Sequence, residues 1–288
     1  LSFLLFVASF CSFQDTSIAQ KYLGSRLEIL TQTENNLAVK SPIDLINEDW
    51  VRSDLDVPNL GNSSNWIWAR LDLDPVIDAG LRVEIAYPTI DSLQVFMVCD
   101  GVIKSMSSAG ATIPRSIRDQ QLGNYPSFPI PVEDCIKLTC YIRAWSGKQL
   151  LLPVRIEGSR KLLSDGHIRD IFFAIYFGVV ISLLIYNLFL YFSVKDNNYL
   201  QYVLFIIAVS GTQLVLNGYD RVFELISSPW IALRVTHIFG ILSGVFSILF
   251  VRNFLHLKTK APLYHKIFGW LYIPYVFAFI LLVLGYFN

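Results

Sequence analysis

The sequence predicts an exported antiparallel β-sandwich followed by an α-helical transmembrane bundle. Three observations carry that expectation. The 288 residues are 53% hydrophobic and only 16% charged, against about 25% charged in an ordinary soluble chain; mean hydropathy is +0.48. Most of the Asp, Glu, Lys and Arg fall between residues 20 and 165, where short segments alternate apolar and polar residues between turn signals. Four long apolar runs then occupy residues 171–287. The formal net charge of zero gives no electrostatic footprint for nucleic acid.

Residues 1–19 read as a signal peptide. The apolar run Leu1 to Phe13 is followed by a small-x-small site at Ser17-Ile18-Ala19, and the run is short for a bilayer span of roughly 20 residues. Residues 20–40 form a polar linker, and 41–158 suffice for one sandwich domain. In "WIWARLDLD", Ile67, Ala69, Leu71 and Leu73 share one face, while Trp66, Trp68, Arg70 and Asp72 share the other. "LRVEIAYP", "SLQVFMV" and "KLTCYIRAW" are further strands, punctuated by "DAG", "CDG", "SAG", "LGN" and "SGK".

Past the signal peptide, Cys99, Cys135 and Cys140 remain, and their spacing matches no zinc pattern. An exported domain permits one disulfide and leaves one cysteine over. Cys140 falls on the apolar phase with Leu138 and Ile142 and reads as core; a pairing of Cys99 stays open. No His precedes His167, and no phosphate loop or nucleophile elbow appears. The expectation is a chain with no catalytic site, metal or cofactor in these residues. Binding is the alternative to catalysis: Trp66 and Trp68, with Arg70, can stack on and hydrogen-bond a sugar ring, or Trp68 can be a core anchor and Arg70 an ion-pair partner. The loop "ATIPRSIRDQQLGNYP" brings Arg115, Arg118 and Tyr125 to the same candidate site, or is a solvated loop.

Residues 159–170 read as a juxtamembrane linker. Spans are expected at 171–194, 199–216, 230–250 and 267–287, each long enough or nearly so for a hydrocarbon core of about 30 Å. Export of the sandwich sends the first span inward and makes Lys195–Asn198 a cytoplasmic turn. The next inward-facing loop, 251–266, carries Arg252, Lys258, Lys260 and Lys266 and no acid. The outer loop has Arg221 beside Asp220 and Glu224. This agrees with the positive-inside rule. Within the spans, Asn187 and His237 are relay candidates. His237 with Gly240 and Gly244 makes a small, polar face that suits helix packing or transmission.

The run "LIYNLFLYFSVKDNNYLQYVLF" resembles the opening of bacterial seven-transmembrane receptors with diverse intracellular signalling modules, and "LVLNG" and "VRNFLHLK" resemble later landmarks of that family. "WIWARLDLD", "AYPTIDSLQVF" and "YIRAW" resemble its type 2 extracellular sensor domain. The resemblance implies a jelly-roll sandwich that binds a glycan or other small extracytoplasmic ligand. It also implies a bacterial inner membrane, three further helices past Asn288, and a cytoplasmic output such as a histidine kinase, diguanylate cyclase or phosphatase. Trp68 and Arg70 match the family's Trp-x-Arg strand, and either Arg115 or Arg118 its Arg-bearing loop. Expected partners are the ligand, the lipid bilayer and a second copy of the chain. A transporter or an anchored adhesion module is the alternative.

Overall fold

The computed structural model describes residues 22–30, 41–46, 48–61, 63–74, 80–113, 122–131, 135–223, 225–226 and 228–285. The expected signal peptide, Arg115 and Arg118 lie outside the described residues.

Among the described residues, nine strands form two antiparallel sheets: β1 (Glu28–Leu30), β2 (Trp50–Arg52), β3 (Ser63–Leu73), β4 (Leu81–Ile85), β5 (Ser92–Cys99), β6 (Val102–Ala109), β7 (Ser127–Pro129), β8 (Leu138–Ser146) and β9 (Val154–Gly158). The larger sheet runs β2-β1-β3-β8-β5-β6 and the smaller β7-β4-β9. Strand alternation builds the core between them. Ala69, Leu71, Val95, Met97, Cys140 and Ile142 from the larger sheet meet Val83, Ile85, Phe128 and Val154 from the smaller. The sheet begins earlier than the sequence suggests: β1 lies inside the stretch 20–40 read as linker.

The β5–β6 hairpin turns on Asp100-Gly101, both at positive φ (49° and 83°), the signature of a two-residue primed turn. The Asp100 carboxylate also accepts the amides of Ile136 (3.2 Å) and Lys137 (2.8 Å). This holds the neighbouring segment beside the strand end, where Cys99 and Cys135 form a disulfide. Cys140 is free and buried, and burial pushes its thiol up to about 12.

A second, smaller core lies on the outer face of the larger sheet. A 3-10 turn at Pro42–Leu45 and the ring of Trp50 cover Trp68, Phe96, Val98 and Tyr141; the Trp50 indole donates to the Leu45 carbonyl at 3.0 Å. Trp68 is therefore 2% exposed and stacked on Phe96 at 5.7 Å. The outward face of a strand is not a solvent face where another layer covers it, so Trp68 is a core anchor.

The helical half begins without a break. Strand β9 ends at Gly158 and α1 (Ser159–Val194) starts at the next residue. Residues 159–170, read as a linker, are the first turns of that helix. Then follow α2 (Asn197–Leu216), α3 (Tyr219–Val222), α4 (Pro229–Phe254), α5 (Leu257–Lys260), α6 (Pro262–Trp270) and α7 (Tyr272–Val283). Among the described residues four stretches are long and apolar enough to cross a membrane: α1, α2, α4 and the α6–α7 pair. The last pair is broken at Leu271, because Pro274 has no N–H for the Trp270 carbonyl one turn back.

The Lys195–Asp196 turn is tight for two reasons. Lys195 takes the left-handed conformation at the end of α1 and donates its amide to Tyr191 O at 2.8 Å. Asp196 caps α2 by accepting the Asn198 amide at 2.9 Å.

Two outcomes test this layout. Trp68→Ala should cost about 3–5 kcal/mol, read as a lowered melting temperature of the sandwich; an unchanged melt would contradict its place under the 42–45 turn. Replacing Cys99 and Cys135 by Ser should lower stability by about 3 kcal/mol, while Cys140→Ala should leave the disulfide content unchanged by thiol titration.

Candidate functional site

Two groups of side chains stand out. The first is a platform on the outer face, at the end of the sheet not covered by the 42–45 turn. Arg143 of β8 lies directly between Trp68 of β3 and Gln94 of β5 in the sheet register. The register of β3 against β8 shifts between Ser63 and Ile67, and in that irregular stretch the Trp66 ring lies over the Arg143 guanidinium, 4.3 Å from its centroid. Trp68 supports Arg143 from beside it at 5.6 Å. Trp145, two residues along the same face, is 6.4 Å from Trp66 at 37° between planes. Trp66 and Trp145 are half-buried, so each keeps ring surface open. Arg143 donates Nη1 to the Gln94 side-chain oxygen at 3.1 Å, and burial lowers its pKa.

Arg70 serves a different purpose. It pairs with Glu28 at 2.6 Å and lies over the Trp50 ring at 4.7 Å. Beyond it a charged cleft is lined by Arg26, Glu28, Arg52, Arg70 and Asp72. Of the residues expected to bind ligand, the structure places Trp66 on the open platform, Trp68 beneath it and Arg70 in an ion pair. Arg143, Trp145 and Gln94 complete the platform and were not singled out. Alternation in "YIRAW" put Tyr141, Arg143 and Trp145 on one face, and that was the available signal.

The second group joins the sandwich to the helices. Arg155 of β9, 3% exposed, binds Glu84 of β4 and donates Nη1 to Asp165 of α1 at 3.0 Å. Burial raises the Glu84 carboxyl against the opposing pull of Arg155. One turn on, Arg169 of α1 lies over the Tyr125 ring at 4.0 Å. Tyr125, expected in the ligand site, is thus a joint residue. Its neighbour Asn124 donates to the Asn217 carbonyl after α2 at 3.0 Å. Gly218 follows at φ 76°, where a Cβ would fall 3.0 Å from Pro88 of the sandwich. Tyr219 donates to Asp170 at 2.7 Å.

Beside this lies Asp220, 4% exposed, with one carboxylate oxygen lacking a hydrogen-bond partner among the described residues. Burial raises its pKa, while the Arg221 and Lys148 charges oppose that. Lys148 sits just past the end of β8, 3.5 Å from Asp91.

The relay candidates inside the spans separate. Asn187 donates to Leu183 O of its own helix at 2.8 Å. Gly244 lies against Tyr275 of α7, whereas Gly240 meets nothing within 4 Å. The closest small-residue contact elsewhere is Gly211 of α2 against Phe239 of α4, which the sequence reading did not name. Arg234, 3% exposed, donates to the Leu282 carbonyl near the end of α7 at 3.4 Å.

No curated protein matches the chain. Two family models do. Residues 24–157 match 7TMR-DISM extracellular 2, and residues 169–288 match 7TM diverse intracellular signalling. Sandwich and helices are thus the paired parts of one architecture, and the chain belongs to the family of seven-transmembrane receptors with diverse intracellular signalling, as a multi-pass membrane protein with an extracellular sensor domain.

Proposed function

We propose that this receptor binds an extracytoplasmic carbohydrate or related small molecule on the Trp66–Arg143–Trp145 platform and relays that event through the bacterial inner membrane to an intracellular signalling module. The observation that supports the reading is the course of β8. The strand carries Arg143 and Trp145 of the platform. At its end, Ser146 and Gly147 donate to the Asp91 carboxylate at 3.0 and 2.9 Å. The next residue, Lys148, lies against the same Asp91 carboxylate at 3.5 Å, and its charge opposes the raised pKa of Asp220 in the helical half. A ligand that shifts β8 therefore moves charges at the mouth of the helices. To signal, it must bind two arrangements of this joint with different affinity. The role assigned to these residues is binding and relay, with no catalytic step.

Calorimetric titration of the full chain in lipid nanodiscs with a saccharide panel is the direct test. Saturable heat is expected from at least one glycan, and none across neutral and acidic glycans would overturn the reading. Trp66→Ala should weaken that binding about tenfold with an unchanged melt, since a stacked ring contributes on the order of 1–2 kcal/mol. Lys148→Met should keep affinity but abolish the ligand-induced change in hydrogen exchange over 217–223.

The joint also predicts a pH dependence. Burial raises Asp220 in the folded protein, so its protonation favours the docked arrangement. Its contribution is complete below the ordinary carboxylate range and is lost as pH rises through the raised value. The chain should melt higher at about pH 5 than at about pH 8, and Asp220→Asn should shrink the difference.

A further inference from the structure

The Arg143 guanidinium is set apart from the exposed Arg52 of the same sheet by its burial. Two other arginines of its sheets meet carboxylates: Arg70 has Glu28 and Arg155 has Glu84 and Asp165. Arg143 is 8% exposed, yet among the described residues no carboxylate pairs with it. Its Nη1 is bound to a neutral amide oxygen, its Nε has no acceptor, and two indole rings flank it. Buried charges are ordinarily paired. A planar guanidinium held against indole rings and unmatched by a carboxylate among the described residues is preorganised to take one.

The surroundings point the same way. On the same outer face, the cleft beyond Trp50 holds three arginines, Arg26, Arg52 and Arg70, against two carboxylates, Glu28 and Asp72. That cleft carries one more arginine than carboxylates. Trp66 and Trp145 supply open ring surface within reach of Arg143.

We infer that the platform takes an acidic sugar unit, a ring bearing a carboxylate. The carboxylate would answer the Arg143 guanidinium and the ring would lie on Trp66. This rests on the carbohydrate reading above and narrows it to anionic glycans such as uronic-acid polymers. Gln94 has a positioning role, fixing the plane of the guanidinium through Nη1.

The test is titration of the full chain in nanodiscs with a galacturonic-acid tetramer and, in parallel, a neutral galactose tetramer. The acidic tetramer should bind at least about tenfold more tightly, the gain expected of a charge-assisted contact. Raising NaCl from about 0.05 M to about 0.5 M should shrink that preference. Arg143→Met keeps the aliphatic packing and should erase the preference; Arg143→Lys keeps charge without the fork and should retain part of it. Equal binding of the two tetramers by the native chain overturns the inference and leaves the carbohydrate reading standing. Binding of neither overturns both. A preference that persists in Arg143→Met, or one unmoved by salt, overturns the inference. If Arg143→Met does not fold, the salt series on the native chain and Arg143→Lys decide it. Sodium sulfate displacing the acidic tetramer at equal concentration would reduce the site to a simple anion site, and that also overturns it.

Discussion

The two halves of the molecule are held in one geometry by the guanidinium of Arg155. It leaves a strand of the sandwich, neutralises Glu84 beside it and reaches Asp165 on the first turns of the membrane helix. Removing one member would strand a buried charge, which is far costlier than never having built the group. The remaining joint contacts depend on that registration. Arg169 finds Tyr125 because it lies one helical turn beyond Asp165. Asn217 finds Asn124 because α2 returns beside α1. The direct passage from Gly158 to Ser159 removes the slack that would let these contacts slide.

The platform and the contacts that follow it lie at one end of β8, where Arg143 and Trp145 run directly into Ser146, Gly147 and Lys148. Inner-face residues of β8, Cys140, Ile142 and Ala144, are locked into the sandwich core, so β8 cannot move far without disturbing β3 and β5. That stiffness suits a relay. The residues proposed to bind are rings and one guanidinium; just past them come charges, Lys148 against the buried carboxylate of Asp91.

Much of this was legible in the residues. Alternation in "WIWARLDLD" sorted Ala69, Leu71 and Leu73 inward correctly, because a period of two survives any tertiary context. The apolar runs marked the spanning helices, and "LYFSVKDNNYLQYVLF" marked the hairpin turn. What alternation cannot reveal is a second layer: nothing in "SPIDLI" announces that it will cover Trp68. Nor can local pattern pair residues such as Arg155 and Glu84, or Arg169 and Tyr125, which lie far apart in the chain. Arg143 was hidden for a related reason. Among the described residues no carboxylate pairs with it, and a missing partner has no sequence signature. The expected linker at 159–170 is helical because Leu162, Gly166 and Phe173 continue the buried stripe of the span below.

The helix that begins at Ser159 has 36 residues, about 54 Å of rise at 1.5 Å each, whereas the hydrocarbon core needs about 30 Å. Its remaining turns carry Asp165 and Arg169 and form a rigid stalk packed against the sandwich. In an α-helix each residue also turns the chain by about 100°. The number of residues between Asp165 and the membrane surface therefore fixes the compass bearing of the sandwich as well as its height. One residue added to the stalk would swing the binding face about a quarter-turn around the helix axis, while seven would restore its heading nearly unchanged. Length in this stretch is an angular coordinate, and the sensor is keyed to the membrane by phase.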